Sequence, residues 1–347
     1  MPIDQKHLRV DVIKGGRSWI SPHFSLSFCY WAEGVGTVVV AGTRRLRSID
    51  AGRGHKLIRA MHWTELASVQ AEENGVREEE FSPETTVTSW WTTHCGFSPI
   101  LATAIHNGHT VSPAIQALIA ISEDERLREE DPFTAFVIRD VPNRIIFHRS
   151  RFEVDLNRAR DAAVYLSPDQ AWGMEIWREK PGRDIIENVL AIHDAYYSML
   201  SHFLHGLQKR SGRFIVLDIH SYNHRRDGQE AAPSDPKVAP DINIGTFSMD
   251  RDRWAHVVDP FIAKLSAFEF RGRGMDVREN VAFEGRGEQA RFIHETFPQN
   301  GCAIAIEFKK FFMDEWTGVP DRLALVAMRD LIRSTLPVLE ESLLARR

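Results

Sequence analysis

The chain has 347 residues, of which 43% are hydrophobic and 26% charged, and its formal net charge is −5. This composition excludes an intrinsically disordered chain, and the acidic balance argues against a nucleic-acid or anionic-membrane partner. The three cysteines, Cys29, Cys95 and Cys302, are too few and too scattered for a disulfide framework. No apolar run reaches the roughly 20 residues of a membrane span, and residues 1–16 lack the apolar core of a signal peptide. We therefore expect a cytoplasmic globular protein.

The N-terminal part of the chain is the least regular, and we expect residues 1–84 to form an extension that packs on a catalytic domain at 85–347. Within the extension, residues 36–43 are β-branched and bounded by glycines, which predicts a strand. Residues 55–74 place apolar side chains near helical spacing, which predicts a short helix. The charged, turn-rich segment 73–84 is a candidate linker.

From residue 98 onward, strand-like and helix-like patterns alternate. The strand-like runs are 98–109, 133–138, 143–156, 213–221 and 302–312, and the helical patterns are 113–128, 184–209, 254–269 and 321–346. The runs at 213–221 and 302–312 are continuously apolar, which is typical of strands buried on both faces. The alternation predicts an α/β fold of three layers, in which a mixed, mostly parallel sheet lies between helices on both faces.

Three of the apolar runs end in residues that can carry out chemistry. The first leads into His106 and His109, the second into His220, and the third into Glu307. In open α/β sheets the ligand site lies beyond the carboxyl ends of the strands. We therefore expect these four side chains to converge, although they are far apart in the sequence.

His106, His109 and His220 together predict a catalytic zinc site, because such sites have three protein ligands and one open position. Bound zinc lowers the pKa of its water to about 7, which supplies hydroxide at neutral pH. Glu307 is then the candidate general base that takes the proton of this water and passes it to a leaving amine. Iron or manganese in place of zinc is left open by the sequence.

Other acidic residues qualify for roles at the same site. Glu129, Glu130 and Asp131 are alternatives to His109 as the second ligand, although a solvated helix end is the simpler interpretation of this acidic run. Asp218 precedes His220 by two residues and so shares its strand face, from which it can orient a ring nitrogen.

The charged segment 150–161 is the candidate substrate-binding stretch. Arg151, Asn157 and Arg158 can bind a carboxylate, since a guanidinium binds it bidentately and an amide adds a donor. Arg158 can also stabilise the oxyanion of a tetrahedral intermediate, and Ser221 is a further candidate for substrate contact. The alternative is a solvated charged loop with structural ion pairs.

Several other residues are weaker candidates. His202 and His205 are three residues apart on a predicted helix, where an ordinary helix face is the better interpretation. His224 is expected to line the site without binding a metal. Gly-Arg-Gly segments stand at 52–54, 272–274 and 285–287. The last of these opens a helix-like stretch and is a candidate anion site at a helix N-terminus.

At these residues the sequence resembles the N-formylglutamate amidohydrolase family. The matching pieces are AIHNGH at 104–109, SRFEVDLNR at 150–158, VLDIHS at 216–221, DINIGT at 241–246 and AIEFKKFFMDEWTG at 305–318. The family is similar in fold to the zinc carboxypeptidases. The resemblance implies that His106 and His220 are metal ligands, that Asn157 and Arg158 bind the substrate carboxylate, and that Glu307 is the base.

The activity that the resemblance implies is zinc-dependent hydrolysis of N-formyl-L-glutamate to formate and L-glutamate, as in histidine degradation. The family commonly has His-Ser-Gly where this chain has His106-Asn107-Gly108, followed by His109, so the second ligand stays open. Two alternatives remain: a zinc carboxypeptidase or deacylase acting on other N-acyl amino acids or peptides, and a non-catalytic module that binds a carboxylate ligand.

Overall fold

The computed structural model describes residues 38–39 and 84–345, and a nine-stranded sheet runs through this part of the chain. Its strands are β1 (Val38–Val39), β2 (Glu84–Val87), β3 (Trp91–Cys95), β4 (Ile100–Ala104), β5 (Asn143–Phe147), β6 (Phe214–Tyr222), β7 (Ile242–Gly245), β10 (Val277–Glu279) and β11 (Gly301–Lys309). A separate two-stranded sheet pairs β8 (Glu269–Phe270) with β9 (Arg273–Gly274). The predicted helix at 55–74 lies outside the described residues, and the division of the chain at residue 84 stays a prediction.

The centre of the large sheet is parallel and its edges are antiparallel. The strand order is β1-β2-β3-β5-β4-β6-β11-β7-β10. Strands β5, β4, β6 and β11 run in one direction, whereas β1, β2 and β3 add antiparallel pairings on one side and β7 adds one on the other. This arrangement brings the carboxyl ends of β4, β6 and β11 together at one edge of the sheet.

Helices cover both faces of the sheet. They are α1 (Pro113–Leu118), α2 (Glu123–Glu129), α3 (Thr134–Val137), α4 (Arg183–Ser211), α5 (Arg251–Ser266), α6 (Glu288–Thr296) and α7 (Arg322–Leu344). Helices α3, α5 and α7 pack on one face in a single hydrophobic cluster. Helices α4 and α6 pack on the other face in a second cluster. The predicted three-layer α/β class with a mixed sheet is thereby confirmed.

Strand β6 shows how the sheet divides its side chains, since all nine of its residues are buried. Ile215, Leu217 and Ile219 pack in the cluster of α5 and α7, whereas Phe214 and Val216 pack in that of α4 and α6. Successive side chains of a strand point to opposite faces. Asp218 and His220 continue the second series and therefore point to the side of α4 and α6.

The long apolar and periodic patterns predicted their elements well. The strand predicted at 213–221 is β6, the one at 302–312 begins at Gly301 and ends at Lys309, and the helix predicted at 184–209 is α4. The helices predicted at 254–269 and 321–346 correspond to α5 and α7. These segments are long or buried on both faces, so tertiary packing agrees with the local pattern.

Two predictions were wrong in detail. Residues 133–138 were predicted as a strand, but they contain α3. The prediction failed because a short apolar run does not distinguish a buried helix from a strand. The helix predicted at 113–128 is two helices. Ser122 starts the second one with a capping box, in which its hydroxyl accepts the N–H of Glu125 and the Glu125 carboxylate accepts the N–H of Ser122.

Several short elements had no clear pattern in the sequence. Strands β2 and β3 lie between the turn-rich segment 73–84 and residue 98, and strand β7 and helix α6 have only 4 and 9 residues. No helix in the described part of the chain is long and apolar enough to cross a membrane.

The buried His294 on α6 makes stability depend on pH. Its Nε2 accepts the N–H of Ala303 at 2.9 Å, and its Nδ1 lies 2.9 Å from the hydroxyl of Ser248. Burial lowers the pKa of His294 to about 4. On acidification the imidazole of the unfolded chain takes up a proton near pH 6.5, before that of the folded chain does. The contribution of His294 to the free energy of unfolding is therefore complete above pH 6.5 and falls by up to about 3 kcal/mol as the pH drops towards 4.

We expect His294→Gln to remove most of this loss of stability at low pH. The free energy of unfolding of the variant should then change less between pH 7 and pH 4.5 than that of the natural chain. Urea unfolding at a series of pH values measures the difference. Replacement of the exposed His202 by Gln is the control and should leave the pH dependence unchanged. An equally steep pH dependence in His294→Gln would contradict the assignment.

Candidate active site

The register of the central strands places the predicted site residues side by side. In the β6–β11 pair, His220 lies opposite Glu307, and in the β4–β6 pair Thr103 lies opposite Asp218. His106 follows the end of β4 by two residues. Three separate parts of the sequence therefore meet at the carboxyl end of the parallel centre, as predicted from the chemistry of the strand ends.

A buried group of two histidines and one aspartate forms the centre of this region. His106 Nδ1 lies 3.2 Å and His220 Nδ1 lies 3.0 Å from the same oxygen, Oδ2 of Asp131. The two imidazole rings have centroids 4.9 Å apart. All three side chains are almost fully shielded from solvent. One potential ligand atom from each residue lies within 4.8 Å of the others.

The structure differs from the expected ligand set at one position, since Asp131 and not His109 completes this group. After His106 the chain turns at Gly108 and runs beside Arg149, with which Thr110 forms a parallel bridge. A Cβ on Gly108 would lie 2.1 Å from the carbonyl carbon of His148, so the turn must approach this backbone closely. His109 lies outside the buried group.

The acidic run after α2 then takes the third position. The N–H of Asp131 donates to the carbonyl of His106 at 3.0 Å, which fixes its carboxylate beside the histidine. Glu130 instead pairs with His109, whose Nδ1 lies 2.5 Å from its Oε2, and Glu129 accepts from Arg226 and Asn223. Of the three acidic alternatives to His109, Asp131 is therefore the one that reaches the group.

The remaining ring nitrogens face carboxylates. His106 Nε2 lies 2.7 Å from Oδ1 of Asp155. His220 Nε2 lies 3.1 Å from Oδ2 of Asp218 but is not aligned for a hydrogen bond with it. Asp218 is itself held by the hydroxyl of Thr103 at 2.8 Å and the amide of Gln289 at 2.6 Å. A carboxylate behind each imidazole is the usual arrangement behind metal-binding histidines.

The carboxylates of the group are held in their ionised form. Burial alone would raise the pKa of Asp131, but its hydrogen bonds with His106 and His220 lower it well below its usual range. For Asp155, burial is likewise outweighed by Arg151 and His106, which hold its pKa well below normal. Carboxylates that stay ionised while buried require compensating positive charge.

The donor set fits a zinc ion. Two imidazole nitrogens and one carboxylate oxygen are the protein ligands of several catalytic zinc sites, which leave a fourth position open. The three residues come from different parts of the fold, and the carboxylates of Asp155 and Asp218 face the nitrogens that point away from Asp131. A divalent ion would also supply the positive charge that these carboxylates require.

Glu307 is the predicted general base. Its side chain is only half-buried, and within residues 85–345 its carboxylate accepts no hydrogen bond. Burial raises the pKa of Glu307 to about 7, an effect that His220 opposes and Asp131 supports. A base with a pKa near the working pH transfers protons in both directions with little cost.

A cavity of about 530 Å³ opens beside Glu307. Asn157, Asp218 and Ala305 line it together with Glu307, and the segment 280–287 and Ala290 line the rest. Its volume is within the range of small-molecule sites. The cavity therefore joins the predicted base to a predicted substrate-binding residue.

The predicted substrate-binding residues have different surroundings. The buried Ser221 donates its hydroxyl to Asp131 at 3.2 Å. Arg151 donates to Asp155 at 2.9 Å and to the Tyr165 hydroxyl at 3.0 Å. Both side chains therefore support the buried group.

Asn157 and Arg158 are partly exposed. The Oδ1 atom of Asn157 is buried and has no hydrogen-bond partner among the described residues. Arg158 lies over the Tyr165 ring, 4.7 Å from its centroid, and donates Nη2 to the Gln170 carbonyl at 2.7 Å, while about a third of its side chain is exposed. Arg158 therefore keeps donors for a ligand.

The weaker candidates do not join the buried group. His202 and His205 line an exposed groove on α4, and His224 Nδ1 lies 2.6 Å from Oε1 of Glu315. The Gly-Arg-Gly segment at 285–287 does reach the site, because it lines the cavity beside Glu307.

Sequence reasoning missed three supporting residues. Tyr165 donates its hydroxyl to Asp155, and Gln289 donates to Asp218 and Thr103. Lys310 is buried, and its ammonium donates to the carbonyls of Arg128 at 2.5 Å and Glu130 at 2.7 Å. Nothing in the sequence around Tyr165 or Gln289 marks them. Lys310 does carry a signal, because it directly follows a buried strand and stands three residues after Glu307.

Lys310 holds the turn that carries Asp131, and burial lowers the pKa of Lys310 to about 8. We expect Lys310→Met to destabilise the fold by roughly 2 kcal/mol or more, because two buried carbonyls lose a charged donor. Chemical denaturation checks this, with Lys264→Met on the exposed side of α5 as the control. Equal stabilities of the two variants would show that Lys310 does not hold the turn.

Two solved structures share the overall fold of this chain. An N-formylglutamate amidohydrolase from Ralstonia eutropha JMP134 is 17% identical over 73% of this chain and 98% of its own, with a TM-score of 0.58. A gene product of Agrobacterium tumefaciens is 13% identical over 74% of this chain and 95% of its own, with a TM-score of 0.52. A putative carboxypeptidase A from Shewanella denitrificans OS-217 is 14% identical over 81% of this chain and 69% of its own, with a TM-score of 0.32. This likeness is too loose to carry an argument.

No curated protein matches the chain in sequence. The sequence model of the N-formylglutamate amidohydrolases matches residues 98–313, which include all of the buried group, Glu307 and the segment 150–161. Because this match covers more than half of the chain, the chain belongs to the N-formylglutamate amidohydrolase family.

Proposed function

We propose that the chain is a zinc-dependent amidohydrolase that cleaves N-formyl-L-glutamate to formate and L-glutamate. One observation carries the proposal: Glu307 lies in register with His220 of the buried group and lines the same cavity as Asn157. A base, a metal-binding group and a carboxylate-binding residue are the parts that amide hydrolysis of an N-acyl amino acid requires.

His106, Asp131 and His220 are the residues that would hold the zinc ion. When bound, zinc polarises the scissile carbonyl and lowers the pKa of a water molecule to about 7. Asp155 fixes the ring of His106 through Nε2, at 2.7 Å. Ser221 orients the carboxylate of Asp131 by donating its hydroxyl to Oδ1, the oxygen that does not face the histidines.

Glu307 moves the protons of the reaction. Its carboxylate removes a proton from the attacking water as the new C–O bond forms at the formyl carbon. When the C–N bond breaks, the same group delivers the proton to the leaving amine nitrogen. A pKa near 7 suits both steps, because neither protonation state of Glu307 is strongly favoured at neutral pH.

Asn157 and Arg158 bind the α-carboxylate of the substrate in this proposal. The guanidinium of Arg158 is positioned by the Tyr165 ring and the Gln170 carbonyl but keeps Nη1 free of any hydrogen bond within the described residues. Arg158 also provides positive charge for the oxyanion that forms at the carbonyl oxygen. The nearby Asp155 lies 3.6 Å from Nε of Arg158 and holds it near the buried group.

The ligand set predicts how substitutions change zinc binding. We expect Asp131→Asn to weaken zinc binding at least about 100-fold, which is the upper end of the loss caused by removing an outer partner of a ligand. Competition with a chromophoric chelator measures the affinity. His109→Gln is the matched control, because His109 pairs with Glu130 outside the group, and its zinc affinity should stay unchanged. If Asp131→Asn keeps its zinc affinity and His109→Gln loses it, the ligand set predicted from the sequence, with His109 in place of Asp131, would be favoured.

The role of Glu307 predicts a separation of activity from metal binding. We expect Glu307→Gln to keep one zinc per chain while its kcat for N-formyl-L-glutamate falls by about 100- to 10,000-fold, the usual contribution of a general base. Metal content and the rate of formate release are measured on the same preparation. Glu295→Gln on the exposed face of α6 is the control.

The substrate is tested in the same assay with N-formyl, N-acetyl and peptide substrates. Highest kcat/KM for N-formyl-L-glutamate supports the proposal, whereas a preference for peptides or other acyl groups would make the chain a carboxypeptidase or deacylase. Binding of glutamate without hydrolysis of any substrate would favour a non-catalytic module. Full activity in Glu307→Gln would remove the base from the mechanism.

A further inference from the structure

The segment 280–287 forms a rigid part of the cavity wall. The buried Asn243 on β7 holds it, because its amide donates to the Phe283 carbonyl at 2.7 Å and its oxygen accepts the N–H groups of Val281 and Ala282 at 2.9 and 2.8 Å. A buried side chain that makes three such bonds fixes the path of the loop.

Gly285 brings this segment against the end of β7. Its φ is +80°, and a Cβ there would lie 2.6 Å from the carbonyl carbon of Gly245. A residue with a side chain would therefore push the segment outward. At the other end of the segment, the N–H of Glu288 donates to the carbonyl of Asn157 at 3.0 Å, which joins it to the predicted carboxylate-binding residue.

Arg286 is the cationic residue among those that line this cavity. Its guanidinium lies over the ring of Phe247, with its carbon 3.3 Å from the ring centroid, and its Nε donates to Glu284. The Arg286 side chain is 58% exposed and that of Glu284 is 52% exposed. An ion pair so open to solvent contributes little and can exchange partners, while the aromatic ring keeps the guanidinium in place.

We propose that Arg286 binds the distal carboxylate of the substrate side chain and so makes the site select acidic N-acyl amino acids. This inference rests on the proposed function. With the α-carboxylate bound by Asn157 and Arg158, an acidic side chain that extends along the cavity replaces Glu284 as the partner of Arg286. The guanidinium can bind this carboxylate bidentately, which an amide or an apolar group does not permit. Glu284 acts as an internal competitor that weakens binding.

Two substitutions with opposite expected signs test the proposal in zinc-loaded protein. Arg286→Gln should raise KM for N-formyl-L-glutamate by about 10- to 100-fold, the range for loss of a charge-assisted pair, with little change in kcat. Glu284→Gln should lower this KM. Neither substitution should change KM for N-formyl-L-glutamine, which has the same length but no distal charge.

Arg291→Gln is the matched control, because Arg291 lies on α6, the helix that follows Arg286, and is exposed, but pairs only with Glu288 and Glu295 among the described residues. It should leave both KM values unchanged. A loss in Arg286→Gln that is equal for the glutamate and glutamine substrates would overturn the proposal, as would an unchanged KM for both.

Calorimetry with L-glutamate and L-glutamine separates this inference from the proposed reaction. If no N-acyl substrate is hydrolysed, the proposed function fails, but a preference for glutamate that is lost in Arg286→Gln still supports Arg286 as the distal-carboxylate site. If hydrolysis occurs and the natural chain binds the two amino acids equally, the proposed function stands and the role of Arg286 is refuted.

Discussion

The site depends on one constraint, which is that the carboxylate of Asp131 is ionised and almost fully buried. A buried charge is tolerated only when hydrogen bonds and opposite charges compensate it. Its Oδ2 faces both His106 and His220, its Oδ1 accepts from Ser221, and its backbone N–H is bonded to His106. The two histidines are in turn backed by Asp155 and Asp218, and Arg151 pairs with Asp155, so that three buried carboxylates share the positive groups around them.

The sheet satisfies this constraint by its strand order. Strands β4, β6 and β11 are parallel neighbours, so that residues from three distant segments end at one edge. The alternation of side chains along β6 puts the apolar Ile215, Leu217 and Ile219 under α5 and α7 and leaves the opposite face for Asp218 and His220. On that side, Gln289 of helix α6 donates its amide to Asp218. The core and the site therefore use the two faces of the same strands.

Much of this arrangement could be predicted from the sequence, and the exceptions have physical causes. The buried strands, the long helices and the positions of His106, His220 and Glu307 follow from apolar runs that end in polar residues. The position of Asp131 does not, because it depends on where α2 ends in the fold and on the bond from the Asp131 N–H to the carbonyl of His106. Tyr165, Gln289 and Lys310 act through contacts between distant segments, which no spacing in the sequence records.

The cavity is built from parts that are already fixed before a ligand binds. Asn243 and the contact of Gly285 with Gly245 hold the segment 280–287, and the bond from Glu288 to Asn157 ties that segment to the proposed carboxylate-binding residue. A ligand that enters such a site does not have to order the loop, which reduces the entropic cost of binding. In the proposed reaction a substrate must place its distal carboxylate at Arg286 and its scissile bond at Glu307 at the same time. A molecule of another length meets only one of these requirements, which reduces kcat/KM.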